Sequence, residues 1–161
     1  MIRATKAVVL LVAVAMSLGG CALIGASEAP RDETGTIDKQ ATADAFSIRV
    51  GDCLNDPGEG DVDRVSVVPC SEPHELEVFH EFSIQDAAYP NTADAMDELT
   101  YEKCDPVFRA FVGRSYEDSR LEYTSLQPTE LSWADGDRVV HCLIADPENG
   151  KSTGSLASSN R

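Results

Sequence analysis

Residues 75–84 read ELEVFHEFSI, and the alternation in that stretch decides the fold class. Leu76, Val78, His80, Phe82 and Ile84 fall on one side of an extended chain, and Glu75, Glu77 and Glu81 fall on the other. Successive side chains of a strand point to opposite faces, so this period predicts a strand with one buried face and one solvated face. Working towards the N-terminus, residues 64–70 (RVSVVPC) form a second strand, with Pro69 near its end. Phe46, Ile48 and Val50 alternate in a first strand that runs into Gly51, Asp52 and Cys53. Between these two, residues 55–63 (NDPGEGDVD) are dense in turn formers.

Towards the C-terminus the period lengthens. Ala93, Met96, Leu99, Cys104, Phe108 and Phe111 make an apolar stripe at roughly helical spacing, with Thr92 placed to cap it and Gly113 to end it. Pro106 lacks an N–H and crowds the preceding turn, so a kink or break is expected at Asp105 and Pro106. Residues 121–126 and 138–145 read as two more strands. The last of these (RVVHCLIA) is apolar at nearly every position, as a central, doubly covered strand would be. The expectation is a small α+β domain: about five mostly antiparallel strands with one kinked or broken helix packed on the sheet.

The ends of the chain read differently. Arg3 and Lys6 precede an unbroken apolar run, residues 7–16 (AVVLLVAVAM), which is too short to span a bilayer but fits a secretory signal. Leu18, Gly19, Gly20 and Cys21 follow and resemble a lipobox, with Gly19 departing from the usual residue at its position. Residues 1–20 are therefore expected to be a lipoprotein signal peptide, and Cys21 the lipidated, palmitate-bearing cysteine that anchors the mature chain at the outer face of the cell membrane. Residues 21–44 read as that cysteine and a flexible tether, 45–147 as the folded domain, and 148–161 as a polar, Gly/Ser-rich, disordered tail.

The five cysteines agree with export. If lipid takes Cys21, then Cys53, Cys70, Cys104 and Cys142 make two disulfides. Four cysteines allow three pairings. Cys53–Cys70, which staples neighbouring strands, and Cys104–Cys142, which ties the helix to the last strand, are preferred. Wide spacing without a C-x-x-C pair argues against zinc or redox chemistry. Charge narrows the partners further. Without Arg3 and Lys6 the chain holds 11 basic and 28 acidic residues, a net of −17, which repels nucleic acid and anionic headgroups.

With those residues in place, the core resembles the septum formation family, an actinobacterial type of secreted or membrane-anchored domain. The resemblance rests on Val50, Gly51, Asp52, Cys53 and Leu54, and on Val68, Pro69 and Cys70 with Pro73, His74, Glu77 and Val78 soon after. Cys104, Phe108, Phe111 and Gly113 continue it, and Pro128, Trp133, Gly136, Arg138 and Cys142 close it, leaving tether and tail uncovered. It implies a link to cell division or the envelope and supplies neither a reaction nor a ligand.

Few residues offer chemistry. His74 and His80 lie six positions apart on one strand, about 20 Å at strand rise, so they share no ion. His141 stands beside a cysteine expected to be oxidised. The paired acids (Glu75 with Glu77, Asp61 with Asp63, Asp135 with Asp137) read as a solvated face of a very acidic chain. There is no G-x-S-x-G, and residues 55–63 lack the spaced acidic pattern of a calcium loop. No catalytic residue, metal ligand or cofactor is assigned. His74, Glu77, Trp133 and Arg138 remain as candidate binding residues, with Trp133 read first as a core lid beside Arg138. The expectation is a non-catalytic accessory domain with an envelope protein as partner and no nucleic acid. The alternatives are a ligand- or metal-binding lipoprotein and a small envelope hydrolase.

Overall fold

A computed structural model describes residues 28–161 except 59, 87 and 91. The signal peptide and the lipidation expected at Cys21 fall outside the described residues. Among the described residues six strands run in the order β1 (Ala41–Asp44), β2 (Cys53–Asn55), β3 (Arg64–Val68), β4 (Leu76–Ser83), β5 (Glu122–Leu126) and β6 (Val139–Ala145). They form one sheet, ordered β1-β3-β2-β4-β6-β5, in which every pairing is antiparallel. Helix α1 (Ala93–Val112) covers one face, and the short α2 (Glu130–Ala134) follows β5. The α+β class, the helix on the sheet and both disulfides, Cys53–Cys70 and Cys104–Cys142, are as expected. Among the described residues no helix is long and apolar enough to cross a membrane.

Helix α1 buries a line of residues four apart: Met96, Thr100, Cys104, Phe108 and Val112. Side chains at that spacing stack along one helical face. The helix runs unbroken through Pro106, against expectation. Pro106 sits on the exposed side, so the carbonyl it leaves unpaired, one turn back, faces water. Thr92 Oγ1 accepts from Ala95 N, and Gly113, at φ +88°, donates its N–H to the Arg109 carbonyl. That left-handed turn suits glycine because it has no β-carbon.

The first strand is displaced from its expected place. Residues 45–47 form a 3-10 turn in which Asp44 accepts from Phe46 N. Phe46 and Val50 stand 59% and 49% exposed, and of the three alternating residues only Ile48 is buried. The sheet instead takes residues 41–44, which the expectation assigned to the tether. Ala29, Ile37 and Ala43 join the apolar layer over the second face of the sheet. A buried ion pair holds this segment down: Arg31 donates to both carboxylate oxygens of Asp52 at 2.7 and 2.6 Å, and to the Ser47 carbonyl at 2.9 Å. Hydrogen bonding to Asp52 raises the Arg31 pKa further above its ordinary value. Two chain-separated segments are thus fixed by a fork-shaped donor on a planar acceptor.

The C-terminal residues are also part of the fold, not a disordered tail. Ser152 forms an antiparallel bridge with His74, and Leu156 is 2% exposed against Phe108 and Ile144. Ser158 N and Asn160 N donate to the carbonyls of Phe111 and Val112, which a helix end leaves without intrahelical partners. Asp146 accepts from Arg120, Asn149 and Arg161. Burial raises its pKa, but the Asn149 amide and the two guanidinium groups outweigh that and hold it below its ordinary value. Local composition suggested disorder because Gly and Ser dominate, whereas these long-range partners come from elsewhere in the chain.

Replacing Arg31 by alanine leaves Asp52 buried without its cation. Breaking such a pair costs about 3–5 kcal/mol, so urea denaturation of Arg31→Ala is expected to show that loss, with earlier proteolysis between residues 28 and 47.

Candidate functional site

The geometry turns on β4. Its pairing with β6 shifts register between Val78 and His80, leaving Phe79 unpaired in a bulge. Before the shift, Glu77 and Phe79 face α1 while Leu76 and Val78 face the N-terminal layer. After it, Phe82 faces the helix and Glu81 faces the opposite side. An inserted residue reverses which side chains meet each face. The expected single apolar row from Leu76 to Ile84 is therefore divided, and Glu77 is not on a solvated face.

Glu77 is 2% exposed. Its carboxyl oxygens accept from Ser155 Oγ at 2.6 Å and Leu156 N at 2.7 Å, so it clasps the C-terminal segment from 78 residues away. His74, 1% exposed, has Nδ1 2.8 Å from the Glu72 carbonyl, while its Nε2 has no hydrogen-bond partner. Donor atoms of Cys53, His74 and Glu77 lie within 4.8 Å of one another, but the Cys53 sulfur is bonded to Cys70. The two candidates taken from sequence are brought together, then, in a closed interior.

Trp133 and Arg138 also meet. The Arg138 guanidinium lies 3.6 Å above the indole and donates to the carbonyls of Trp133 and Asp137. Thr129 and Ser132 cap each other to start α2, and Gly136 (φ +101°) turns the chain back towards β6. Tyr89 meets the indole edge-on at 5.5 Å, and Trp133 packs with Ile84, Met96 and Val140. The pair is a lid on the core, held by a cation–π contact.

An open cleft lies on the face opposite α1. It has a volume of about 640 Å³ and lies between the 3-10 turn at Ala45–Ser47, the loop through Val62 and the segment from Ser125 to Ser132, with β4 and β6 as its floor. Register places Glu81 directly across from His141. His141 is 6% exposed, and its Nε2 stands 3.7 Å from Glu81 Oε2, too far for a hydrogen bond. Burial lowers the imidazole pKa below 6.5; Glu81 and a backbone hydrogen bond to Ile48 oppose this without reversing it. Phe46, Leu126 and Val139 supply apolar wall, and Asp61, Asp63, Glu81, Glu130 and Asp137 face a single Arg49. Sequence reading passed over His141 because its neighbour is a disulfide cysteine, yet adjacent strand residues point to opposite faces. The continuous apolar stretch of β6 hid that it carries one polar group on the cleft side.

A family model described as septum formation matches residues 50–160, which takes in the C-terminal segment as well as the core. No curated protein and no solved structure matches the chain.

The folded protein resists protonation of His141, so below about pH 6.5 the unfolded chain binds the extra proton more readily. Stability is therefore expected to fall as pH drops below that value. His141→Gln should flatten this part of the stability–pH profile measured by urea denaturation.

Proposed function

The chain belongs to the septum formation family, and on that premise we propose that it is a non-catalytic accessory domain of the cell envelope, docking a partner protein in the His141 cleft. The family relation is to cell division; the accessory role, the outer-face location and the lipid on Cys21 are the finer reading. The observation that carries it is the cleft itself. Here an exposed phenylalanine, a polar floor and unbridged carboxylates face solvent in one concave surface. Concave surfaces with apolar walls and a few placed polar groups are where proteins take ligands and partner segments.

A catalytic reading has one observation in its favour, the Glu81–His141 pair. Against it, the two groups are not hydrogen-bonded, and among the described residues no hydroxyl or thiol is bonded to His141 Nε2 for it to activate. The anchoring part of the proposal rests on the short apolar run before Cys21 and the small residues beside it.

Cys21→Ala is expected to move the protein out of the membrane fraction, and retention there would contradict anchoring at this residue. A photo-crosslinking residue at Phe46 is expected to capture one discrete envelope protein in cells. The same probe at Tyr101, exposed on α1, should not. Equal labelling from both positions would overturn docking at the cleft.

A further inference from the structure

We infer that the cleft recognises a primary ammonium group, the side chain of a lysine on the docking segment, seated between His141 Nε2 and Glu81 Oε2. This rests on the docking reading above and names its chemistry. Nε2 is the ring nitrogen turned to Glu81, and the Ile48 backbone favours a proton on the ring, so the assigned tautomer carries its proton on Nδ1 and leaves Nε2 to accept. The His141 side chain is 7% exposed at the cleft floor, its Nε2 makes no hydrogen bond to the described residues, and the nearest carboxylate oxygen is 3.7 Å away. Two acceptors at that separation can both lie about 2.8 Å from one nitrogen, the length of a charge-assisted hydrogen bond. An ammonium brings three rotatable donors, enough for both, whereas a planar guanidinium is matched to a paired carboxylate fork.

The surroundings favour the same occupant. Asp137 is committed inward, accepting from Ser132 Oγ and Val139 N. Asp61, Asp63 and Glu130 line the cleft with no Lys or Arg within ion-pair distance among the described residues, and the one nearby cation is Arg49. Phe46, at 59% exposure, and Val139, at 36%, offer apolar surface for the methylene stem of a lysine. A chain of formal charge −15 attracts any cation diffusely. The specific claim is therefore that this position, and not net charge, governs binding.

The test is titration of the full chain carrying Cys21→Ala, isotopically labelled, with the peptide acetyl-Ala-Leu-Lys-Leu-Ala-amide, followed by chemical-shift mapping. Saturable binding is expected, with shifts centred on His141, Glu81 and Leu126. Glu81→Gln should weaken it about tenfold, as loss of one charged hydrogen-bond partner does. Glu81 is half exposed, so the substitution leaves the fold intact. The triple variant Asp94→Asn, Asp97→Asn, Glu98→Gln removes charge from exposed positions on α1 and should change affinity by less than about twofold. Acetylation of the peptide lysine should abolish binding, and arginine in its place should weaken it. Equal losses from Glu81→Gln and from the helix variant would overturn the inference in favour of diffuse attraction. So would unimpaired binding of the acetylated peptide. If the Phe46 probe still captures its partner in that case, docking stands and only the lysine chemistry falls. If that probe also fails, the docking reading falls with it.

Discussion

The unpaired residue in β4 is the constraint on which both faces of this domain depend. Without the shift at Phe79, Glu77, Phe79 and Glu81 would share one face of the sheet. With it, Glu77 reaches the C-terminal segment on the helix side, while Glu81 crosses to meet His141 on the other. The bulge leaves Phe79 buried among Phe108, Phe111 and Tyr123, where edge-on and tilted ring contacts at 5.8–6.2 Å fix its position. Burial in the same group pushes the Tyr123 hydroxyl pKa up to about 12. Aromatic packing on one face thereby fixes a pair of ionisable side chains on the other.

The two faces are closed by different means. On one side Cys104–Cys142 joins the middle of α1 to β6 across 38 residues; on a loop-entropy estimate such a crosslink is worth about 4 kcal/mol. Leu156 and the carbonyl caps supplied by the last residues complete that face. On the other side the covering layer is the N-terminal segment, held by Arg31 on Asp52 and by Cys53–Cys70 beside it. That layer ends at the turn through Phe46, and the cleft begins where it ends. Ala145 and Leu143 of β6 lie under apolar cover, while His141, two residues along the same face, meets the opening.

Much of the sheet was legible because strands and helix each carry their own period. The strands at 64–68, 76–83, 122–126 and 139–145 and the helix with its two caps were readable locally, whereas counting cysteines left three pairings, of which the preferred one is formed. What failed depended on distant partners. Residues 41–44 have too little apolar character to announce a strand, and they pair only because β3 offers an edge and Arg31 finds Asp52. Residues 148–161 look like linker, but Glu77 and the end of α1 supply them with hydrogen bonds. Of the candidate residues, His74 and Glu77 proved adjacent but enclosed, and Trp133 with Arg138 formed the expected lid. The cleft escaped notice because a bulge leaves no mark on composition, and because Glu81 and His141 lie 60 positions apart and become neighbours only through register.

The account stands on His141 presenting a bare acceptor nitrogen to the cleft, and nitrogen NMR of the imidazole reads this directly. At pH 7 the ring should be neutral, with its proton on Nδ1 and Nε2 unprotonated. A proton on Nε2, or a ring already charged at that pH, would contradict the assigned floor of the cleft and remove the seat proposed for an ammonium group.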